Sequence, residues 1–259
     1  MISVITSSQN PKIKLVRALL GRAKERRKAN AFAVEGVRLV EEALYSNWEF
    51  QFVLYDDTLS ERGRSQVESL RSRGVDVEMV SESLMKSLSE TETPQGILAV
   101  LERIQLPITN SLNFILIPDQ IRDPGNLGTL FRSAAATGVQ AVMLPPETTD
   151  AFAPKVVRSG MGAHFRLPIH SMAWDEIQEK VKGLQIYLAD MIGPSCWETD
   201  LRQPLALIVG GESEGASAEA RQLATQKIAI PMAGNVESLN AGVAGSVLMF
   251  EVVRQRSQV

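Results

Sequence analysis

Three glycine-rich stretches hold the side chains of this 259-residue chain best suited to chemistry. The first, DPGNLGTLFR over 123–132, carries Asn126 and Arg132. The second, LIVGGESEG over 207–215, carries Glu212, and the third, IPMAGNVESLN over 230–240, carries Ser238 and Asn240. Apolar strand ends followed by glycines let a ligand approach the main chain closely. Asn126 either hydrogen-bonds a ligand or its own loop, or caps a helix beside Gly128. Ser238 and Asn240 equally suit caps of the helix that follows them. Glu212 can fix Asn126 or the geometry of its loop.

Other chemistries are poorly provided for. His164 and His170 stand in no metal-ligand spacing and read as a strand and its end, so no metal is expected. One cysteine, Cys196, excludes an internal disulfide and fits a reducing cytosol. Gly160-Met161-Gly162 is half a dinucleotide fingerprint, but it follows a helix and lacks the third glycine, so it reads as a turn. No apolar window approaches the ~20 residues of a membrane helix. MISVITSSQNPK has neither the basic start nor the apolar core of a signal peptide. With 44% hydrophobic and 22% charged residues the composition is that of a soluble globular protein, long enough for two domains.

The elements that must position the three stretches follow from periodicity. Ile228–Pro231 reads as a buried strand ended by proline, followed by a polar loop over 233–238. Asn240 then opens a helix whose first turns are small: Ala241, Gly242, Ala244, Gly245 and Ser246. Each glycine costs a helix roughly 1 kcal/mol against alanine, so close approach of a backbone, a ligand or a second subunit must compensate. Upstream, strands are expected at Phe114–Pro118, Val139–Leu144, Phe165–Ile169, Gln185–Ala189 and Leu205–Val209. Helices are expected from about Gly128 to Thr137, around Pro154–Arg158, at Trp174–Val181 and at Ala216–Ala224. Such alternation indicates a parallel α/β domain over 113–259. Residues 103–112, with Pro107 and no periodicity, read as a linker.

Residues 1–102 alternate helices and strands as a smaller α/β domain. Eight basic residues between Lys12 and Lys28 face one acid, Glu25, although the whole chain carries a net charge of −3. That one-sided run is a candidate phosphate-binding surface, with Lys12, Lys14, Arg22, Arg26 and Arg27 as RNA contacts.

In letters, order and spacing, the three stretches resemble the motifs of the SpoU–TrmH family of RNA ribose methyltransferases, over roughly 113–256. The N-terminal half resembles, more loosely, the substrate-binding domain many family members carry, itself similar to a small RNA-binding ribosomal protein. The loose match rests on the basic helix, the FAVEG turn and TPQGILAV; Gln95 and Gly96 either face RNA or form a strand-entry turn. The resemblance implies a deep C-terminal trefoil knot, against ordinary topological rules. It also implies S-adenosylmethionine as cofactor and methyl transfer to a ribose 2′-hydroxyl. Asn126, Arg132, Glu212, Ser238 and Asn240 match its catalytic positions. Gly210, Ile230 and Leu239 match its three cofactor-contact places, Met232 and Ala244 line the same pocket, and Gly211 and Pro231 join them.

The family's proposals make the arginine a base or an activator. A guanidinium keeps its proton in nearly all proteins, so a charged Arg132 that grips the adjacent phosphate and stabilises a developing alkoxide is preferred. Ribosomal RNA is the expected substrate. Transfer RNA, or a non-catalytic RNA-binding role in ribosome assembly, is the alternative. The stripe Ala241, Ala244, Gly245 and Leu248 is either buried within its own domain or packed on a second copy. The resemblance favours the latter, a homodimer; the single cysteine makes the cytoplasm the expected location.

Overall fold

The computed structural model describes residues 4–257 apart from 47, 213 and 235–237. Ser213 of the second stretch and the middle of the polar loop at 233–238 therefore lie outside the described residues. Two compact units divide the chain: Met1–Ile104 with Phe152–Arg158, and Gln105–Ala151 with Ser159–Val259.

The first unit runs β1 (Val4–Ile5), α1 (Pro11–Gly21), α2 (Ala23–Ala29), β2 (Ala31–Glu35), α3 (Val37–Tyr45), β3 (Phe50–Tyr55), α4 (Glu61–Ser72), β4 (Val77–Val80), α5 (Glu82–Leu88) and β5 (Ile97–Glu102). Its strands form a mixed sheet in the order β1-β4-β3-β5-β2, with β5 antiparallel to both neighbours. Ile13, Val16 and Leu19 recur at helical spacing on α1 and bury against Ala33, Phe52 and Leu98. Asn10 caps α1 by accepting the Lys12 N–H at 2.9 Å, and Pro11 occupies the first turn where a missing N–H does no harm.

The second unit is built from β6 (Phe114–Asp119), α6 (Pro124–Ala136), β7 (Ala141–Leu144), α7 (Pro154–Gly160), β8 (Ile169–Ser171), α8 (Trp174–Lys180), β9 (Gln185–Ala189), β10 (Leu205–Gly210), α9 (Ala218–Leu223), β11 (Gln226–Ile228) and α10 (Ala241–Arg256). Most of α7, Pro154 to Arg158, groups instead with the first unit, and only Ser159 and Gly160 belong to the second. The sheet order is β11-β9-β10-β6-β7-β8, with every pairing parallel. Ile177, Val181 and Ala220 cover one face, over Ile115, Ile117, Ala206 and Ile208. On the other, α10 lies against Val209 and α6. Coverage on both sides explains strands that are apolar at nearly every position.

Three expectations shift. No strand spans Phe165–Ile169: Ala163–Phe165 is a 3-10 turn and β8 begins at Ile169. Met161 and Gly162, at φ 47° and 89°, reverse the chain there, and buried His164 bonds the Ala151 carbonyl through Nε2 at 2.7 Å. β11 ends at Ile228, because Ala229 instead pairs with the 194–196 segment, donating to the Pro194 carbonyl and accepting from the Cys196 N–H. α6 starts at Pro124, four residues before the expected Gly128, because Asp123 caps it.

Candidate functional site

Chain order along the second sheet reverses at β6. β7 and β8 continue to one side, while β10 and β9 lie on the other. In open parallel sheets ligands bind outside the carboxyl ends of the strands at such a switch point. Here the last paired residues are Asp119 and Gly210, and the two loops that diverge beyond them hold the first and second motifs. Gln120, Arg122, Asp123, Asn126, Glu212 and Glu214 are among the residues lining the crevice between them.

Asn126 sits in the first turn of α6. It does not cap that helix: Asp123 does, accepting the Asn126 backbone N–H at 2.8 Å. Its side chain is thereby free to leave the helix end, and Nδ2 donates to Glu212 Oε1. Asn240 caps α10 by accepting the Val243 N–H at 3.2 Å. Its Nδ2 donates to Asn126 Oδ1 and to Glu212 Oε1, each at 2.9 Å. One residue from each motif thus meets in a closed hydrogen-bonded cluster. One side chain, that of Asn240, thus both caps α10 and joins the cluster.

The small residues of α10 make this meeting possible. A Cβ on Gly242 would stand 3.3 Å from the Asn126 carbonyl oxygen, and one on Gly245 would stand 2.3 Å from a Leu130 methyl and 3.1 Å from Val209. Ser246 Oγ and Ser133 Oγ join the two helices at 2.7 Å. The close backbone approach expected of this helix is therefore to α6 and β10 of its own unit. Ala241, Gly245 and Leu248 are buried there and Ala244 is half-buried, so most of the stripe packs within its own unit. The apolar surface α10 leaves open lies elsewhere: Val243 and Phe250 are 46% and 52% exposed, beside Trp197 at 48%.

The remaining positions are less tied. Arg132 is exposed on α6 and makes no hydrogen bond or ion pair among the described residues. Six residues on from Asn126, it projects about 120° away around the helix. Ser238 and Leu239 are exposed, and Ser238 caps nothing, since Asn240 is the cap. Ile230, Met232 and Ala244 are half-buried and Pro231 is exposed, all beyond β11 or on the first turn of α10. Gly210 and Gly211 are fixed by close approach: a Cβ would meet the Ala216 nitrogen at 2.7 Å and the Gln120 carbonyl oxygen at 2.5 Å. No group of three or more His, Cys, Asp or Glu side chains gathers as metal ligands among the described residues.

In the first unit the basic run divides. Lys14, Arg22 and Arg27 are exposed, as are Arg17, Lys24 and Lys28. Lys12 is held by Asp76 at 2.5 Å and Glu78 at 2.7 Å. Partial burial opposes its charge, yet the two carboxylates keep its pKa above the usual lysine value. Arg26 is a correction. It is 4% exposed and donates to the Leu19 carbonyl at the end of α1, so it closes that helix and is not open to phosphate. Gln95 accepts the Val37 N–H at 2.8 Å, which makes it a cap for α3.

Sequence reasoning missed Asp119. It ends β6 fully buried and accepts the Ser217 N–H at 2.6 Å through Oδ2. An acid closing an otherwise apolar strand was the available signal.

Residues 113–250 match the SpoU rRNA Methylase family, and residues 10–99 match the MRM3-like substrate binding domain. A 23S rRNA (guanosine(2553)-2′-O)-methyltransferase of Bacillus subtilis is 35% identical, covering 96% of this chain and 98% of its own. Human mitochondrial rRNA methyltransferase 3 is 31% identical over 89% of this chain and 69% of its own. An AdoMet-bound rRNA methyltransferase from Sinorhizobium meliloti superposes with a TM-score of 0.86 at 29% identity, covering 98% of each chain.

Proposed function

The chain belongs to the SpoU rRNA methylase family, and we propose that it transfers the methyl group of S-adenosylmethionine to a ribose 2′-hydroxyl of ribosomal RNA. The observation that carries this reading is the Asn126–Glu212–Asn240 cluster, which ties all three motifs together at the switch point of the sheet. Asp123, Glu212 and Glu214 line the crevice against one Arg122, an excess of negative charge beside the cluster. When bound, S-adenosylmethionine supplies an electrophilic methyl on a sulfonium.

The chain's own residues position and polarise. Gly210, Gly211, Ile230, Pro231, Met232 and Leu239 offer backbone edges and apolar walls to the cofactor, with Ala244 behind them. Asn126, Glu212 and Asn240 lock the loops, and Ser238, two residues before Asn240 in the third motif, orients the ribose. A charged Arg132 grips the neighbouring phosphate and stabilises negative charge developing on the ribose oxygen. The deep C-terminal knot is part of the same reading and rests on family membership.

Residues 1–102 serve as the RNA-recruiting domain, through Lys14, Arg22 and Arg27 and the exposed cations beside them. The working form is a homodimer built on Trp197, Val243 and Phe250, because soluble monomers rarely expose a contiguous apolar patch of that kind. A cytoplasmic location fits the bacterial relative, and no described helix is long and apolar enough to cross a membrane. Calorimetry with S-adenosylmethionine tests the assignment: saturable one-to-one binding per chain is expected, and no heat at millimolar cofactor would count decisively against it.

A further inference from the structure

Asp119 is hard to explain as a stabilising residue. It closes a strand whose other described positions, Phe114 to Pro118, are all apolar, and it is fully buried. Oδ2 accepts the Ser217 N–H, while Oδ1 has no partner among the described residues. Burying a half-satisfied carboxyl weakens a fold relative to an apolar side chain of similar size. Burial accordingly pushes its pKa up, against the pull of Ser217.

What the carboxyl does is local and geometric. The chain leaves β10 at Gly210, the register partner of Asp119, and carries Glu212 outward. It closes on itself where Gly211 and Gly215 exchange two backbone hydrogen bonds of 3.1 Å. Gly211 rests against the carbonyl of Gln120, the residue after Asp119. The returning limb is then caught at Ser217, which also caps α9 by accepting the Ala220 N–H at 3.1 Å.

We propose that Asp119 is a positioning residue for methyl transfer: it anchors the returning limb of the 211–217 loop to β6 and so fixes where Glu212 meets Asn126 and Asn240. The inference rests on the methyltransferase reading for its kinetic consequence, but not for the anchoring itself. The other residues of the cluster touch one another. Asp119 acts on them only through the loop.

Three variants of the full chain and one control test this. Asp119→Leu keeps the forked shape, adds bulk and removes the acceptor, while Asp119→Asn keeps one accepting oxygen and nearly the same volume. Ser217→Pro removes the backbone donor at a φ of −63°, which proline adopts without strain, and Ser217→Ala keeps that donor while controlling for the lost hydroxyl, which caps α9 and also bonds the Asp119 carboxylate. Amide hydrogen exchange on the protein alone should be about tenfold faster at Gly211 and Gly215 in Asp119→Leu and Ser217→Pro. Exchange in β6 and β10 should stay unchanged. On ribosomal RNA from a strain lacking the gene, kcat should fall about tenfold in the same two variants, with KM for RNA within about threefold. Asp119→Asn and Ser217→Ala should stay within about threefold of wild type throughout. Wild-type exchange in Asp119→Leu, or an Asp119→Asn as impaired as Asp119→Leu, overturns the anchor. If Asp119→Leu fails to fold, Ser217→Pro against Ser217→Ala decides. A wild-type chain that methylates no ribosomal RNA would remove the methyltransferase reading, and the exchange comparison would still judge Asp119.

Discussion

The carboxamide of Asn240 donates to Asn126 Oδ1 at 2.9 Å, joining the start of the last helix to the start of α6 across 114 positions of sequence. The same nitrogen reaches Glu212, while the same side chain's oxygen caps α10. Cap and cluster can therefore be separated by choice of substitution. Asn240→Asp keeps the accepting oxygen for Val243 but loses the donor and sets a second carboxylate beside Glu212. Methyl transfer should fall at least about tenfold with a small change in melting temperature. Asn240→Ala loses the cap as well and should cost about 1 kcal/mol more in stability. Thermal melts alongside turnover measurements separate the two effects, and an Asn240→Asp enzyme with full activity would remove the cluster from the account.

Helix α10 separates packing from assembly in the same way. Gly245→Leu must displace Leu130 and Val209, so it should destabilise the chain by about 1–3 kcal/mol or more through overpacking. Phe250→Asp, on the exposed face, should leave the fold intact and separate the copies. Sedimentation and urea melts distinguish these outcomes. A Phe250→Asp chain as dimeric as wild type would exclude this face as the interface.

The first unit's exposed cations should set affinity for RNA and its salt dependence. Replacing Lys14, Arg22 and Arg27 with glutamate should weaken binding and flatten the slope of log K against log salt by about 2–3, since each phosphate neutralised by a side chain adds about 0.7 to it for a single strand and about 0.9 for a duplex. Arg26→Ala should instead lower stability, because its guanidinium closes α1. Filter binding across a salt series checks the first claim, and a triple variant with an unchanged slope would make the run a merely solvated surface.

His164 gives the fold a pH dependence. Burial lowers its pKa to about 4, against about 6.5 in the unfolded chain. Between those values the unfolded chain binds the proton and the folded chain does not, so stability falls as pH drops from about 6.5 towards 4. The loss should approach roughly 3 kcal/mol. His164→Gln should flatten that part of the profile, as read from urea midpoints. Equal slopes in both proteins would contradict a neutral, buried His164.

How much of this was legible varied with the physics involved. Asn126, Glu212 and Asn240 stood out because they fall on the positions where three glycine-rich stretches resemble the motifs of the SpoU–TrmH family; each residue by itself read equally well as a cap or a loop contact. The start of α6 was set four residues late, although Asp123-Pro124 carries the signal of an N-cap followed by a first-turn proline. Arg26 was not readable, because its burial depends on how α2 folds back on the carbonyls ending α1, and nearby Arg22 and Arg27 have the same chemistry. The packing of α10 on its own unit was half legible. Its small residues announced a close approach without naming the neighbour. Asp119 stayed hidden because its partner, Ser217, lies 98 positions away.

Arg132→Ala should abolish methyl transfer while cofactor affinity stays within about threefold, since Arg132 lies on α6 away from the strand ends assigned to the cofactor. Retained turnover would rule the arginine out, and unchanged RNA affinity would remove its phosphate grip specifically.

The most direct measurement is a nucleotide-by-nucleotide map of ribose methylation in ribosomal and transfer RNA from cells with and without the gene. Loss of a 2′-O-methyl group from ribosomal RNA is expected, restored by the wild-type gene and not by Asn126→Ala or Arg132→Ala. Unchanged ribosomal RNA, with or without a loss in transfer RNA, would contradict the assignment.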